Sequence, residues 1–275
     1  MASSTRQALA QSKAEISAYL GTDLRFSTDL FVAADAISAN SKLRGILSDP
    51  SAEAKAKSDL VERLFGTKLA DSSIEFLKLV VSKRFSKGRD LVSVLDQLGV
   101  YAAASVAKSA NQLGQVQADL FSFEQAVSTN RDLQFALGNK AADMNAKLEL
   151  VGKLIKGKVS ETSEVLIRQA LVSARSRRLA VVLDEFGSQI AAFDDTVIAK
   201  VTAASALDEA QTKKLQDSLT KTYGKQIRIN VEIDPSIIGG LKVQIAGEII
   251  DGSISSRLQN LKQQLGRTAA SVNRS

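Results

Sequence analysis

Shifted by 90 positions, the first part of this 275-residue chain falls on itself. Asp29-Leu30-Phe31 lands on Asp119-Leu120-Phe121, Asn40 on Asn130, Leu43 on Leu133 and Leu47 on Leu137. The register holds through Lys57 and Lys147, Leu60-Val61 and Leu150-Val151, Leu64 and Leu154, and Lys68 and Lys158. One further residue of offset aligns Val81-Ser82 with Val172-Ser173 and Arg84 with Arg175. A three-residue excess in the first copy, near Ser86-Lys87-Gly88, then brings Val94-Leu95-Asp96 onto Val182-Leu183-Asp184 and Gly99 onto Gly187. Such length changes belong in loops. A repeat of this period is a strong constraint, because whatever one copy forms the other must form as well.

Both copies carry a helical period. Leu60, Leu64, Ile74, Leu77, Val81, Leu91, Leu95 and Leu98 recur at steps of three and four or their multiples in the first, and Leu150, Leu154, Leu171, Leu179 and Leu183 do so in the second. Pro50 is the sole proline before residue 235, and it follows Ser48-Asp49 at an expected helix junction. Each copy is expected to be a bundle of five or six helices, with short loops around Gly66-Thr67 and Gly157-Lys158.

The period changes after residue 195. A strand is expected over 196–203 and a helix from about Leu207 to Tyr223. Ile227, Ile229, Val231 and Ile233 then alternate with Arg228, Asn230 and Glu232, and Leu241, Val243 and Ile245 repeat the alternation of a half-buried strand. Between them, Asp234-Pro235-Ser236-Ile237-Ile238-Gly239-Gly240 is a turn in which Pro235 fixes one φ and the glycines open positive-φ conformations. After Gly247, Glu248-Ile249-Ile250-Asp251-Gly252-Ser253 reads as a short strand leading into a helix that Asp251 or Ser253 can cap. Ile254, Leu258, Leu261 and Leu265 form one stripe on that helix. Ile254 and Leu258 are placed to pack on their own domain, and Leu261 and Leu265 suit a partner helix. The fold class is therefore mainly α with a small α+β C-terminal domain: helical bundles at 1–100 and 101–195, then a mixed strand/helix domain at 196–275.

Composition narrows function. With neither Cys nor His, disulfides, thiolate chemistry and the commonest neutral-pH acid/base are excluded. No stretch is read as approaching the roughly 20 apolar residues of a membrane helix. The net charge of +6 divides as 14 basic and 12 acidic residues in 1–100, 11 and 11 in 101–195, and 11 and 7 in 196–275, a mild excess toward the C-terminus. Arg175-Ser176-Arg177-Arg178 reads as a solvated helix end or protein interface before it reads as a phosphate site. Asp184-Glu185 and Asp194-Asp195 are adjacent on their segments, so their side chains diverge and they are expected to face solvent, not to hold a metal. Gly239-Gly240 lacks the surroundings of a phosphate loop. No cofactor, metal or catalytic residue is expected.

The Asp234–Gly240 turn, the Glu248–Ser253 run and the closing Arg257-Leu258-Gln259-Asn260-Leu261-Lys262-Gln263-Gln264-Leu265 segment resemble, in order and spacing, the C-terminal signature of the ATP synthase delta subunit, the oligomycin-sensitivity-conferring protein family. The resemblance covers the last third of the chain, and a helical bundle followed by a small mixed domain is also the family's order. The extra bundle departs from the ordinary form and resembles the enlarged, duplicated delta region of some actinobacterial ATP synthases. Those relatives can carry a fused stalk helix; none is read here, so the stalk partner is expected as a separate chain.

The resemblance implies a non-catalytic stator of a proton-translocating F-type ATP synthase, at the cytoplasmic face of the cell membrane and touching the membrane only through partners. It implies that a helical bundle binds the N-terminal segments of the alpha subunits between its first and fifth helices, and that the C-terminal domain engages b-type stalk helices. In the second copy the implied groove residues are Val106, Leu113, Val165, Leu166 and Gln169; in the first they are Ile16, Leu20, Ile74 and Leu77. The C-terminal motif comprises Asp234, Pro235, Gly239, Gly240, Asp251, Gly252 and Ser253, with Leu258, Leu261 and Leu265 toward the stalk. The alternative from the residues alone is a basic tandem-helical adaptor for nucleic acid, although the absence of Trp leaves it few aromatic platforms.

Overall fold

The computed structural model describes residues 3–175, 177–237, 239–245 and 247–252. Two compact units emerge, Met1–Ile190 and Ala191–Ser275. The first holds both repeats. Its helices are α1 Ser3–Glu15, α2 Arg25–Ala39, α3 Ser41–Ser48, α4 Ala54–Phe65, α5 Asp71–Val81 and α6 Gly88–Ser109, then α7 Leu113–Thr129, α8 Arg131–Gly138, α9 Met144–Ile155, α10 Glu161–Ala174 and α11 Leu179–Phe193. The starts of α3, α4 and α5 lie 90 residues before those of α8, α9 and α10, so the repeat in sequence is a repeat in structure. α6 runs across position 100 without interruption, serving as the last helix of the first repeat and the first of the second.

The same side chains frame both repeats. Asn40 caps α3 by accepting from the Lys42 and Leu43 amides, and Asn130 caps α8 by accepting from Leu133. Asp29, buried on α2, accepts from the Ala70 amide at 2.9 Å and the Ser73 hydroxyl at 2.7 Å; Asp119, buried on α7, accepts from the Ser160 amide at 3.1 Å and the Ser163 hydroxyl at 2.6 Å. Each carboxylate thus fastens the second helix of its repeat to the start of the fifth. A buried charge is tolerated where hydrogen bonds of this kind satisfy it.

α6 corrects one expectation. At 22 residues, with a mean hydropathy of 1.2 over its most apolar window, it is long and apolar enough to cross a membrane by length and composition. In the fold those residues serve the core: Leu91, Leu95 and Leu98 are fully buried against Phe26, Leu30 and Ile37 of α2 and Phe76 and Leu77 of α5. The crossing with α2 is close at Gly99, where a Cβ would overlap the Phe31 ring, and the Ser27 hydroxyl donates to the Gly99 carbonyl.

The second unit contains β1 Thr196–Ala203, α12 Glu209–Tyr223, β2 Gln226–Ile233, β3 Leu241–Ile245 and β4 Glu248–Asp251, in the sheet order β2-β1-β3-β4. β1 runs parallel to β2, which α12 makes possible as a crossover, and antiparallel to β3. α12 begins with a capping box between Asp208 and Gln211 and stops at Gly224 in the left-handed region. Leu215 and Leu219 of α12 pack over Ala199, Val201, Ile227, Val243 and Ile245, the apolar phase of the alternation.

Candidate functional site

The first and fifth helices of the first repeat are α1 and α5, which pack together. Ile16, in the turn that extends α1, is fully buried with Ile74 and Leu77 in the main core, whereas Leu20 is half-buried at its margin. Tyr19, also half-buried, lies 5.1 Å from the Phe76 ring and 6.4 Å from the Phe26 ring. Lys83 closes the end of this seam with an ion pair to Glu15 at 2.8 Å. The expected groove residues therefore divide. Ile16, Ile74 and Leu77 lie in the core, and Leu20 with Tyr19 is what the seam presents.

In the second repeat the pair is the C-terminal half of α6 and α10. Leu166 is fully buried, Leu113 and Gln169 are buried, and Val106 and Val165 are half-buried. Gln169 serves elsewhere, since its amide donates to Asp96 at 3.3 Å, to Asp35 at 3.4 Å and to the Ser173 hydroxyl at 3.0 Å, and Ser173 donates to Asp96 at 3.1 Å. Arg175 completes the cluster, 3.8 Å from both carboxylates, with its own φ at +49°. Asp35 and Asp96 come from α2 and α6 of the first repeat and the other three from the second, so this polar knot ties the repeats to each other.

Electrostatics of the knot are set by burial. Asp35 is pushed up to about 6, first by desolvation and next by the Asp96 charge, while the Gln169 hydrogen bond and Arg175 pull it down. Asp96 is also raised, chiefly by desolvation, against the opposing pull of Arg175, Ser173 and Gln169. Arg175 is thus engaged in a contact between repeats, not merely solvated, and Arg177 holds Glu185 at 2.8 and 2.6 Å from its two oxygens. Asp96 left a trace in the sequence, a carboxylate one residue past the buried Leu95 within an apolar run. Asp35 left none.

In the sheet unit Gly239 and Gly240 take the positive φ that the sequence predicts, +69° and +84°. The Asp234 carboxylate accepts from the Ser236 amide at 2.9 Å, and the Asp234 amide donates to the Ala203 carbonyl at 2.8 Å. Pro235 sits in this turn. Asp251 is paired with Lys242 in the β3–β4 register, and the Gly252 amide donates to the Leu241 carbonyl at 2.9 Å. Ser253, Ile254, Leu258, Leu261 and Leu265 lie outside the described residues. β2 and β4 are the sheet edges, and Ile233, Ile249 and Ile250 on them are exposed.

A helical unit with a doubled frame, followed by a four-stranded unit, defines a mainly α protein with a small α+β domain, and comparison gives the particular family. The model of the ATP synthase delta (OSCP) subunit matches twice, over residues 10–100 and 99–265. The chain is 38% identical to ATP synthase subunit delta of Leifsonia xyli subsp. xyli, across 96% of this chain and 99% of that one. It is 34% identical to the subunit delta of Streptomyces avermitilis, across 81% and 82%, and 33% identical to that of Corynebacterium jeikeium, across 94% and 95%. A chain of the Toxoplasma gondii mitochondrial ATP synthase hexamer, solved by cryo-EM, aligns at 22% identity and a TM-score of 0.37 over 60% of this chain and 96% of that one, too distant to support any argument. The chain belongs to the ATP synthase delta (OSCP) subunit family. Neither the family nor these relatives support the nucleic-acid alternative.

Proposed function

We propose that the chain is the non-catalytic connector in the peripheral stalk of a proton-translocating F-type ATP synthase, joining the alpha/beta catalytic head to b-type stalk subunits at the cytoplasmic face of the cell membrane. The observation that carries this reading is the double family match, one helical copy at 10–100 and a second copy with the sheet unit at 99–265. Rotary catalysis turns a central stalk inside the head, so the head must be held against torque. Holding it requires binding at two ends and no bond-making step, so no residue of this chain is assigned a catalytic role.

The helical unit takes the head, receiving an N-terminal alpha-subunit segment by a helix-in-groove mode. We assign that contact to the first repeat, at the α1–α5 seam near Leu20. The support is asymmetry: α10 of the second repeat is already committed to the first through Gln169 and Arg175, while the α1–α5 seam ends on half-buried Tyr19 and Leu20. Val106, Leu113 and Val165 are the corresponding residues on the second repeat. The sheet unit, with the segment containing Leu258, Leu261 and Leu265, takes the stalk.

Binding of the full-length chain to the isolated head tests the assignment. Leu20→Glu should weaken that binding at least tenfold and Val165→Glu less than twofold, with melting temperature recorded for both. The reverse pattern moves the contact to the second repeat, and equal, negligible effects remove both seams.

A further inference from the structure

Within the second repeat, the ends of α7 and α10, the helix α8, the starts of α9 and α11, and Arg175, Arg177 and Arg178 surround a cavity of about 470 Å³. Its walls include the buried apolar side chains Val127, Leu137, Leu171 and Leu179. Lys140, Lys147 and Arg178 also line it, and no lining side chain among the described residues is acidic. Arg175 and Arg177, further along the wall, already hold Asp35, Asp96 and Glu185.

The corresponding junction of the first repeat is built differently. There the junction between fifth and sixth helices, residues 82–87, is two residues longer than 175–178 and carries Phe85, buried in the core. Gly88 then brings α6 against α3: a Cβ on it would lie 3.1 Å from Arg44 Cγ and from Ser48 Oγ. Gln134 and Gly138, the counterparts of Arg44 and Ser48 at the 90-residue shift, face the cavity instead. Lys57 of the first repeat donates its ammonium to the Val81 carbonyl at 3.3 Å. Its counterpart Lys147 is also buried, at 9% exposed against 3% for Lys57, and among the described residues its ammonium meets no hydrogen-bond or ion-pair partner. Phe135, on α8 beside Gln134, is 76% exposed.

We propose that this cavity is a docking pocket for an acidic, amphipathic segment of another ATP synthase subunit, seating an aromatic or leucine side chain against Val127, Leu137, Leu171 and Leu179. Carboxylates flanking that anchor pair with Lys140, Lys147 and Arg178, and Phe135 extends the apolar contact beyond the rim. A polypeptide segment is the occupant because it can present an apolar anchor and flanking charges together, and it is acidic because Lys140, Lys147 and Arg178 have no counter-charge among the described residues. The pocket lies at the fifth-to-sixth helix junction, away from the first-and-fifth helix seam. The inference rests on the connector reading for its choice of partner.

Photocrosslinking from the full-length chain assembled into purified ATP synthase tests it, with Gln134→p-benzoylphenylalanine as the probe. The expected result is an adduct that maps to an acidic segment of another subunit. Adding Lys140→Glu and Arg178→Glu, both at exposed positions, should lower its yield at least fivefold without moving the melting temperature. Gly138→Trp should lower it comparably, since nothing lies within 4 Å of a Cβ there and the new side chain can fill the cavity. Assembly without an adduct overturns the inference while leaving the connector reading intact. So does an adduct to lipid, to nucleic acid, to a second copy of this chain or to a segment without carboxylates, or a yield indifferent to charge reversal. A chain that does not assemble into the enzyme overturns both readings.

Discussion

The first repeat closes its fifth-to-sixth helix junction with its own Phe85 and with the α3–α6 contact at Gly88, whereas the second leaves a cationic cavity at the same place. Their frames are held alike, by Asp29 and Asp119 and by Asn40 and Asn130. The difference teaches that a duplicated scaffold can keep the residues that set helix positions and vary a short junction, in its length and in the side chains it carries. Function is then free to diverge where the frame is not at stake.

The largest test of that comparison is Phe85→Ala. Emptying a buried aromatic site should cost about 3–5 kcal/mol and lower the melting temperature of the helical unit by roughly 10 °C, measured by calorimetry. A change under about 1 kcal/mol would mean that Phe85 is not what seals the first repeat. Next come Asp29→Ala and Asp119→Ala, each of which removes the acceptor of a part-buried amide and a buried hydroxyl and should cost about 2–3 kcal/mol by urea unfolding. The two costs should agree within about 1 kcal/mol; a larger gap would break the claim of a shared frame.

In the sheet unit, Gly240→Val puts a β-branched residue at φ +84° and should cost about 1–3 kcal/mol, more than Asp251→Ala at the end of β4. Amide exchange in β3 reads both. The smallest expected effect is at the knot between the repeats. The carboxyl of Asp35 has its pKa raised from the ordinary 3.8 to about 6, so between those values the folded chain binds more protons than the unfolded one. Ionisation of Asp35 therefore costs stability, a cost complete above about pH 6 and relieved as pH falls toward 4. Asp35→Asn should raise stability at pH 7 by only about 1 kcal/mol after allowance for partial solvent screening, and the gain should vanish near pH 4. Thermal melts at the two pH values decide it; destabilisation at pH 7 would show that the Arg175 contact outweighs the burial of the charge.

Much of the architecture was legible because it depends on local period. The strands 196–203, 241–245 and 248–251, the helix ending at Tyr223 and the positive φ at Gly239 and Gly240 all follow from alternation, capping and turn chemistry. The helical repeat was legible because identical side chains recur at one spacing. The groove was less so. Ile16, Ile74, Leu77 and Leu166 occupy apolar phases of their helices, and a 3.6-residue period cannot distinguish the face that meets the core from one that meets a partner. The knot of Asp35, Asp96, Gln169 and Arg175 depends on how two copies meet, which no single helix encodes. The three-residue excess near Gly88 was visible, but its consequence, a sealed interior in one copy and a cavity in the other, requires the packed structure.

The most direct test of the connector account is mass photometry of the full-length chain mixed with the isolated catalytic head and the soluble part of the b-type stalk, separately and together. The account predicts a complex with each and a ternary complex whose mass is the sum of all three. Failure to bind either, or binding of one that displaces the other, would contradict it.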